Sequence, residues 1–143
     1  MKFGSLSFFI CIAIVLMGCS DRIYDEPLDK YPFEEKMKSV LGKNLKVIDS
    51  VRRAEVQVSY FDLVGPNSNQ EISEIINLLE KDGWILKGKG IGVDTYCLGL
   101  NNRINVVIVG KEDLYDFKGM KLPKNNVDGF LYSYNKWGDN MCE

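Results

Sequence analysis

Residues 94–109, with the sequence DTYCLGLNNRINVVIV, decide the class of fold. Two segments rich in apolar residues, 94–100 and 103–109, flank Asn101-Asn102, and asparagine tolerates the positive φ of a tight turn. This pattern predicts a β-hairpin. The second segment ends in four apolar residues, Val106 to Val109, which is typical of a strand that is covered on both faces. We therefore expect a central strand here, with a sheet built around it.

Further strands are predicted on both sides of this hairpin. Residues 84–89 form a candidate strand before it, and a last strand, in which Phe130, Tyr132 and Tyr134 alternate, ends near Trp137. Earlier in the chain, Val56, Val58 and Tyr60 alternate with Gln57, Ser59 and Phe61. This period of two indicates a strand. It predicts one long or bent strand that begins as early as Leu45 and ends at Leu63.

Two helices complete the predicted fold. Apolar residues at helical spacing predict a helix over 33–41 and a second over 69–82, and Ser68 with Glu71 matches a capping box at the start of the second. The resulting order of elements is α, β, α, β, β, β, β. It predicts a single α+β domain over 32–143. We expect an antiparallel or mixed sheet of about four to five strands with two helices packed on one face.

The N-terminal segment has the residue pattern of an export signal. Lys2 is followed by an apolar run, Leu6–Met17, that only Ser7 interrupts, and a small residue then stands directly before a cysteine. A positive start, an apolar core and a small residue in this order are typical of a secretory signal peptide. The segment resembles a bacterial lipoprotein signal, whose motif of Leu, any residue, Gly or Ala, and Cys is matched by Leu16, Met17, Gly18 and Cys19.

The resemblance implies that residues 1–18 are removed and that Cys19 carries the lipid. In many Gram-negative lipoproteins an Asp directly after this cysteine retains the protein at the inner membrane, whereas here the position is Ser20. The implied location is the periplasmic face of the outer membrane, with residues 19–31 as lipidated cysteine and tether. An ordinary secretory signal and a retained membrane helix are the alternatives. The second needs roughly 20 apolar residues, and this run has about a dozen.

If this signal is processed, the four cysteines have different roles. Cys11 leaves with the signal and Cys19 becomes the anchor, so Cys97 and Cys142 remain. Exported proteins often pair two such thiols. A Cys97–Cys142 disulfide is therefore predicted, and it would hold the last residues against a strand. A zinc site is the weaker interpretation, because two cysteines without histidine make a poor ligand shell.

The chain has no histidine, which excludes Ser-His-Asp and Cys-His catalysis and the histidine-based zinc hydrolases. A carboxylate pair is not excluded, and its candidates are Glu112, Asp113 and Asp116. Acidic clusters in loops are more often solvated, however, and these residues lack the spacing of a calcium loop. Residues 88–92 (GKGIG) have the wrong spacing for a phosphate-binding motif. We predict no catalytic residue, no metal site and no cofactor.

Charge excludes a further class of partner. Removal of residues 1–18 takes away one basic residue, Lys2, from a net charge of −2 and leaves about −3. No basic stripe runs along the sequence. Nucleic acid is therefore not an expected partner.

Aromatic residues are concentrated in the final third, beside a long connection predicted over 110–128. The candidate partner-binding residues are Tyr115, Phe117, Tyr132, Tyr134 and Trp137. Aromatic side chains are enriched at binding hot spots, but alternating aromatic residues in a strand also pack a core. Both interpretations remain open from the sequence.

The sequence thus favours a non-catalytic binding module anchored to the outer membrane, with a protein partner in the periplasm. An immunity or inhibitor protein directed at a toxin or a cell-wall enzyme is the most concrete form of this hypothesis. The alternative is a structural or accessory lipoprotein of an envelope assembly or a secretion apparatus. A mildly acidic inhibitor would be steered toward a basic target.

Overall fold

A computed structural model of the chain describes residues 26–110, 113–123, 127–138 and 141–142. The predicted signal, residues 1–18, and the predicted lipid attachment site, Cys19, lie outside the described residues. In the described part of the chain, no helix combines the length and apolarity needed to cross a membrane.

Two α-helices and six strands make up the described fold. The helices are α1, Phe33–Leu41, and α2, Ser68–Lys81. The strands are β1, Leu45–Arg52; β2, Val56–Leu63; β3, Ile85–Lys89; β4, Val93–Leu98; β5, Asn102–Val107; and β6, Gly129–Asn135. The α+β prediction is confirmed, and the predicted α1 matches the structure residue for residue.

All six strands form one sheet in the order β1-β2-β6-β5-β4-β3, and every neighbouring pair is antiparallel. The expected count of four to five strands was too low because the predicted long strand over 45–63 is two strands. They meet at a turn over 53–55, where the Arg53 N–H donates to the Val56 carbonyl at 2.8 Å. Arg53-Ala54-Glu55 contains none of the usual turn residues, so no local pattern predicts this hairpin.

The β4–β5 hairpin is present, but its turn lies at 99–101 and not at Asn101-Asn102. Gly99 adopts the left-handed backbone conformation, with φ of 60°, and no other residue type among those described has a positive φ. Asn102 is instead the first residue of β5. Glycine has no Cβ to oppose this conformation, so Gly99, and not an asparagine, supplies the positive φ that the turn needs.

Both helices pack on one face of the sheet, as predicted. Phe33 of α1 and Ile75 of α2 belong to the same buried cluster as the alternating residues Phe130, Tyr132 and Tyr134 of β6. Phe33 stacks on Tyr132 with their ring centroids 5.1 Å apart. The helix-bearing side, called here the first face, therefore holds the main hydrophobic core.

The predicted capping box of α2 is wrong. Asn67 occupies the N-cap position and makes no side-chain capping bond. The Ser68 hydroxyl instead donates to Asp128 Oδ2 at 2.6 Å, and the Glu71 carboxylate accepts from the Asn44 side chain. Both side chains connect the start of α2 to other parts of the chain rather than to its own backbone.

Residues 29–31, which the sequence assigned to a tether, are part of the folded domain. Tyr31 is 7% exposed and belongs to the core, and its N–H donates to Asn102 Oδ1 at 3.0 Å. Asn102 Nδ2 donates in turn to the Asp29 carbonyl at 2.7 Å. The Tyr134 hydroxyl donates to the Asp29 carboxylate at 2.8 Å. The domain thus begins before residue 32.

We expect Asn102→Ala to lower the free energy of unfolding by about 2 kcal/mol, because it leaves the buried Tyr31 N–H without its acceptor. Urea unfolding measures the loss, and hydrogen exchange at the Tyr31 amide reports whether the 29–31 segment opens. Asn101→Ala is the matched control, since the Asn101 side chain bonds Asp29 in an exposed position. Equal stability of the two variants would contradict a fastening role for Asn102.

Candidate binding surface

The five aromatic residues predicted to bind a partner do not come together. Tyr132 and Tyr134 are 0% and 1% exposed and lie in the core of the first face. These two side chains therefore belong to no exposed surface, and for them the core-packing interpretation is the one that holds. Burial also raises the pKa of both phenols well above the usual range, so they stay protonated.

The other three aromatic residues lie at opposite ends of the molecule. Tyr115 is half-buried and exchanges backbone hydrogen bonds of 2.9 and 3.1 Å with Ile91, beside the turn between β3 and β4. Phe117 packs directly over Gly88, where an added Cβ would come within 2.6 Å of the ring-bearing carbon. Trp137, in contrast, is 68% exposed just beyond the end of β6. Only Trp137 offers most of its surface to solvent.

The loop over 113–123 covers one half of the second face of the sheet. Leu114 and Leu122 form a small apolar cluster with Val93 of β4 and Val107 of β5. The predicted disulfide is present on the same side, with Cys97 of β4 joined to Cys142 and their Cα atoms 6.1 Å apart. The β4–β5 half of this face is therefore closed by the loop and by the C-terminal segment.

A buried ion pair lies beneath this cover. Arg103 of β5 and Asp116 of the loop are 8% and 2% exposed, and the guanidinium Nη2 donates to Asp116 Oδ2. Arg103 also donates to the Met141 carbonyl at 3.4 Å. Asp116 Oδ1 accepts the N–H groups of Lys118 and Met120 at 2.9 and 2.8 Å. The pair holds the loop and the C-terminal segment to the central strand.

Two opposing effects act on the Asp116 carboxyl. Burial by itself raises its pKa, since it penalises the charged form. The Met120 N–H and the Arg103 guanidinium favour the charged form and outweigh burial, so the pKa lies below its usual range. Asp116 is therefore a charged structural group, not a protonated acid available to a substrate.

Of the three acidic candidates, Asp113 and Asp116 each form an ion pair with a basic side chain. Glu112 lies outside the described residues. Asp113 is exposed and pairs with Lys121 at 2.6 Å, which raises the pKa of that lysine. Asp116 is engaged with Arg103. In the described ranges, no three Cys, Asp or Glu side chains are grouped so that they could hold a metal ion.

The remaining half of the second face, formed by β1, β2 and β6, stays partly exposed. Register pairs Val51 of β1 with Val58 of β2, and Tyr60 of β2 with Leu131 of β6. Val51 is 51% exposed, and the other three side chains are half-buried. We call these four residues the open face. They form a diagonal row of apolar side chains across three strands, with Asp49 opposite Tyr60 and Ser133 opposite Val58 on the same face.

Strand β2 shows why this surface is unusual. Phe61 faces the core, so Ser59 and Gln57 lie on the same buried side, 0% and 7% exposed. Gln57 Nε2 donates to Ser59 Oγ at 2.9 Å, and the Ser59 hydroxyl also shares a 2.9 Å hydrogen bond with the Ser50 hydroxyl of β1. The apolar set Val58 and Tyr60 faces outward. In its 57–60 half the strand thus buries polar residues and leaves apolar ones half-buried, the reverse of the usual arrangement in a half-covered sheet, whereas Phe61 and Leu63 at its other end are buried apolar residues.

Comparison with known proteins provides no family for this chain. No protein-family model, no curated protein and no solved structure matches it. The argument for function therefore rests on the geometry of the described residues.

Sequence reasoning missed the open face because alternation alone does not show which set of side chains faces the core. The alternating apolar residues were Val56, Val58 and Tyr60, and their hydropathy would place them in the interior. The other set of alternating residues contained a signal. On the same side of the strand as Gln57 and Ser59 lie the apolar residues Phe61 and Leu63. Both sets are thus partly apolar, which is typical of a strand with two contact faces.

Proposed function

We propose that this protein is a lipid-anchored, non-catalytic binding module of the bacterial envelope that captures a protein partner on its open face. The predicted signal and Cys19 support an anchor at the periplasmic side of the outer membrane. An inhibitor or immunity role toward a toxin or a cell-wall enzyme fits a small domain of this kind. No part of the proposal needs a cofactor, a metal ion or nucleic acid.

The reversed polarity of β2 carries this proposal. Exposed apolar surface is disfavoured in a soluble domain unless another molecule covers it, and contiguous apolar patches commonly mark protein–protein contact sites. The cross-strand pairs Val51–Val58 and Tyr60–Leu131 bring four apolar side chains together on this face, with Val51 the most exposed of them. Tyr60 suits its centre because tyrosine adds a polar group to a large, stiff contact area.

The nature of the partner follows from the shape and charge of the domain. The open face is part of a sheet, so it presents a broad surface rather than a deep pocket for a small ligand. The mature chain has a net charge of about −3, which favours encounter with a basic protein. A folded, basic protein with an exposed apolar patch is the partner that fits both properties.

We expect Val51→Asp to weaken partner binding by about tenfold or more, because the new carboxylate would be buried within the apolar part of the interface. The test captures the partner from envelope extract with the full chain at physiological salt and identifies it by mass spectrometry. The dissociation constant is then measured with the purified partner. Immunity predicts a one-to-one complex in which the partner's toxic or hydrolytic activity is lost.

Ile85→Asp is the matched control for this experiment. Ile85 is 64% exposed on β3, the opposite edge strand, so the same charge is introduced outside the open face. Equal affinity of both variants would place the contact elsewhere on the domain. Capture of envelope-assembly or secretion components, with no activity inhibited, would favour the accessory role instead. Failure to find any stoichiometric partner would contradict a binding function.

A further inference from the structure

A second group of exposed apolar residues lies at the end of the sheet where the described chain begins. Leu28 is fully exposed, and Leu100 and Trp137 are 65% and 68% exposed. Leu28 and Leu100 line the same groove, which has a volume of about 380 Å³ and includes Pro32 and Leu98 in its walls. These side chains are distinct from the open face, which lies on the surface of the sheet and not at its end.

Three turns and the N-terminal segment meet at this end, which we call the N-terminal pole. The turns are 53–55, 99–101 and 136–138, and the N-terminal segment is 26–32. The Asn135 N–H donates to the Asn101 carbonyl at 3.1 Å, and the Lys136 N–H to the Glu55 carbonyl at 2.8 Å. Lys30 Nζ donates to the Arg53 carbonyl at 3.3 Å. Leu100 and Trp137 are thus tips of neighbouring turns.

The position of the predicted anchor determines what this pole faces. Because residues 29–31 are fastened to Asn102, the chain between the anchor and the domain is three residues shorter than the predicted tether. Nine residues lie between Cys19 and Asp29, and these ten Cα–Cα steps reach at most about 36 Å when fully extended. A domain of this size is about 35 Å across. The N-terminal pole is therefore the part of the domain nearest the anchor and stays within about one domain diameter of the lipid surface.

The chemistry of the pole suits a membrane interface. Leu100 and Trp137 present their apolar side chains from the tips of turns, where no unpaired strand edge is exposed. Tryptophan is enriched at the headgroup level of bilayers. Lys136 Nζ lies 5.4 Å from the centre of the Trp137 ring, so its ammonium group can reach the phosphates while the ring inserts. The charged residues of the three turns and the 26–32 segment balance: Lys30, Arg53 and Lys136 against Glu26, Asp29 and Glu55.

We propose that the N-terminal pole is a membrane-docking surface, in which Leu28, Leu100 and Trp137 insert into the headgroup region of the membrane that holds the lipid on Cys19. This inference rests on the proposed lipid anchor. Docking fixes the orientation of the domain, with the strands rising from the membrane and the open face turned sideways toward the periplasm. Since the local charges balance, the contact depends on apolar insertion and not on anionic lipid.

Trp137 is itself the reporter for the test. The full lipidated chain is reconstituted into phosphatidylethanolamine–phosphatidylglycerol vesicles with and without bromine on the acyl chains, which quenches nearby tryptophan. Trp84 is 2% exposed and supplies a constant background that the Trp137→Phe variant measures. We expect bromine to remove about half of the Trp137 emission, as for a ring at the interface, and high salt to leave this loss unchanged.

Leu100→Asp should reduce this quenching at least twofold, because a carboxylate at the turn tip resists insertion. Val64→Asp is the matched control, since Val64 is 56% exposed at the opposite end of the sheet, and it should leave quenching unchanged. Trp137 emission that is indifferent to bromine, in a chain whose mass shows acylated Cys19, would overturn the docking surface alone. A mass without acyl groups would overturn both this inference and the proposed anchor.

Discussion

Asp116→Ala is expected to lower the free energy of unfolding by about 3–5 kcal/mol, since it leaves the Arg103 guanidinium buried without a counter-charge. The same change removes the acceptor for the Lys118 and Met120 N–H groups and loosens the turn of the loop. A whole domain of this size is stable by only about 5–15 kcal/mol. Urea or thermal unfolding at neutral pH measures the loss.

The neighbouring acidic residue supplies the control. Asp113 lies in the same loop and pairs with Lys121 in an exposed position, so Asp113→Ala should change stability by less than about 1 kcal/mol. The double variant Arg103→Met/Asp116→Leu removes both buried charges together and should recover much of the loss. If Asp116→Ala and Asp113→Ala are equally stable, the buried pair does not hold the loop to the sheet.

The pH dependence of this effect has a definite sign. The pKa of Asp116 is lower in the folded chain than in the unfolded chain, so the stabilisation is complete above the unfolded pKa of about 3.9. It is lost as the pH falls through the lower, folded pKa. The stability difference between the wild type and Asp116→Asn should therefore be constant near neutral pH and shrink below about pH 4. A difference that grows on acidification would contradict the assignment.

Loss of the Cys97–Cys142 disulfide is expected to lower the free energy of unfolding by about 4 kcal/mol in the chain-entropy model. The bond joins residues 45 positions apart and fastens the C-terminal segment to β4. Unfolding midpoints with and without reductant measure this effect. The Cys97→Ala/Cys142→Ala variant is the control, because reductant should no longer shift its midpoint. Two alkylatable thiols in the native, unreduced domain would show that the bond does not form.

The two effects should not be additive. The C-terminal segment carries the Met141 carbonyl that accepts from Arg103, so the disulfide helps to keep water away from the ion pair. When this segment is released, the Arg103 guanidinium gains access to solvent. The loss of Asp116 then lowers the free energy of unfolding by a smaller amount. We therefore expect Asp116→Ala to cost less in the Cys97→Ala/Cys142→Ala background than in the wild type.

Local patterns predicted those parts of the fold that depend on local causes. The apolar stripe of α1 and the alternating aromatic residues of β6 each identify an element without reference to the rest of the chain. The disulfide followed from cysteine count and the expected oxidising compartment. The β1–β2 hairpin was not predicted, because Arg-Ala-Glu at 53–55 has no turn signature. Its turn is held by the pairing of the two strands.

The candidate surface depended on non-local information. Whether Tyr60 or Ser59 faces the core is decided by where the helices pack, and alternation within β2 is the same in both cases. Asp29 and Tyr31 looked like tether residues because their acceptors and donors lie about 70 positions further along the chain, at Asn102. Asp116 looked solvated for the same reason, since its partner Arg103 lies in another element.

The β4–β5 hairpin fastens both ends of the described chain, and this has a mechanical consequence. Hydrogen bonds of Asn102 hold residues 29–31, while the covalent bond from Cys97 holds Cys142. A pull along the N-terminal chain therefore loads the middle of the sheet first, at Asn102, before it reaches the edge strand β1. A partner that pulls on the open face would transmit its force from β2 and β6 to β5 and from there to the anchored N-terminal segment.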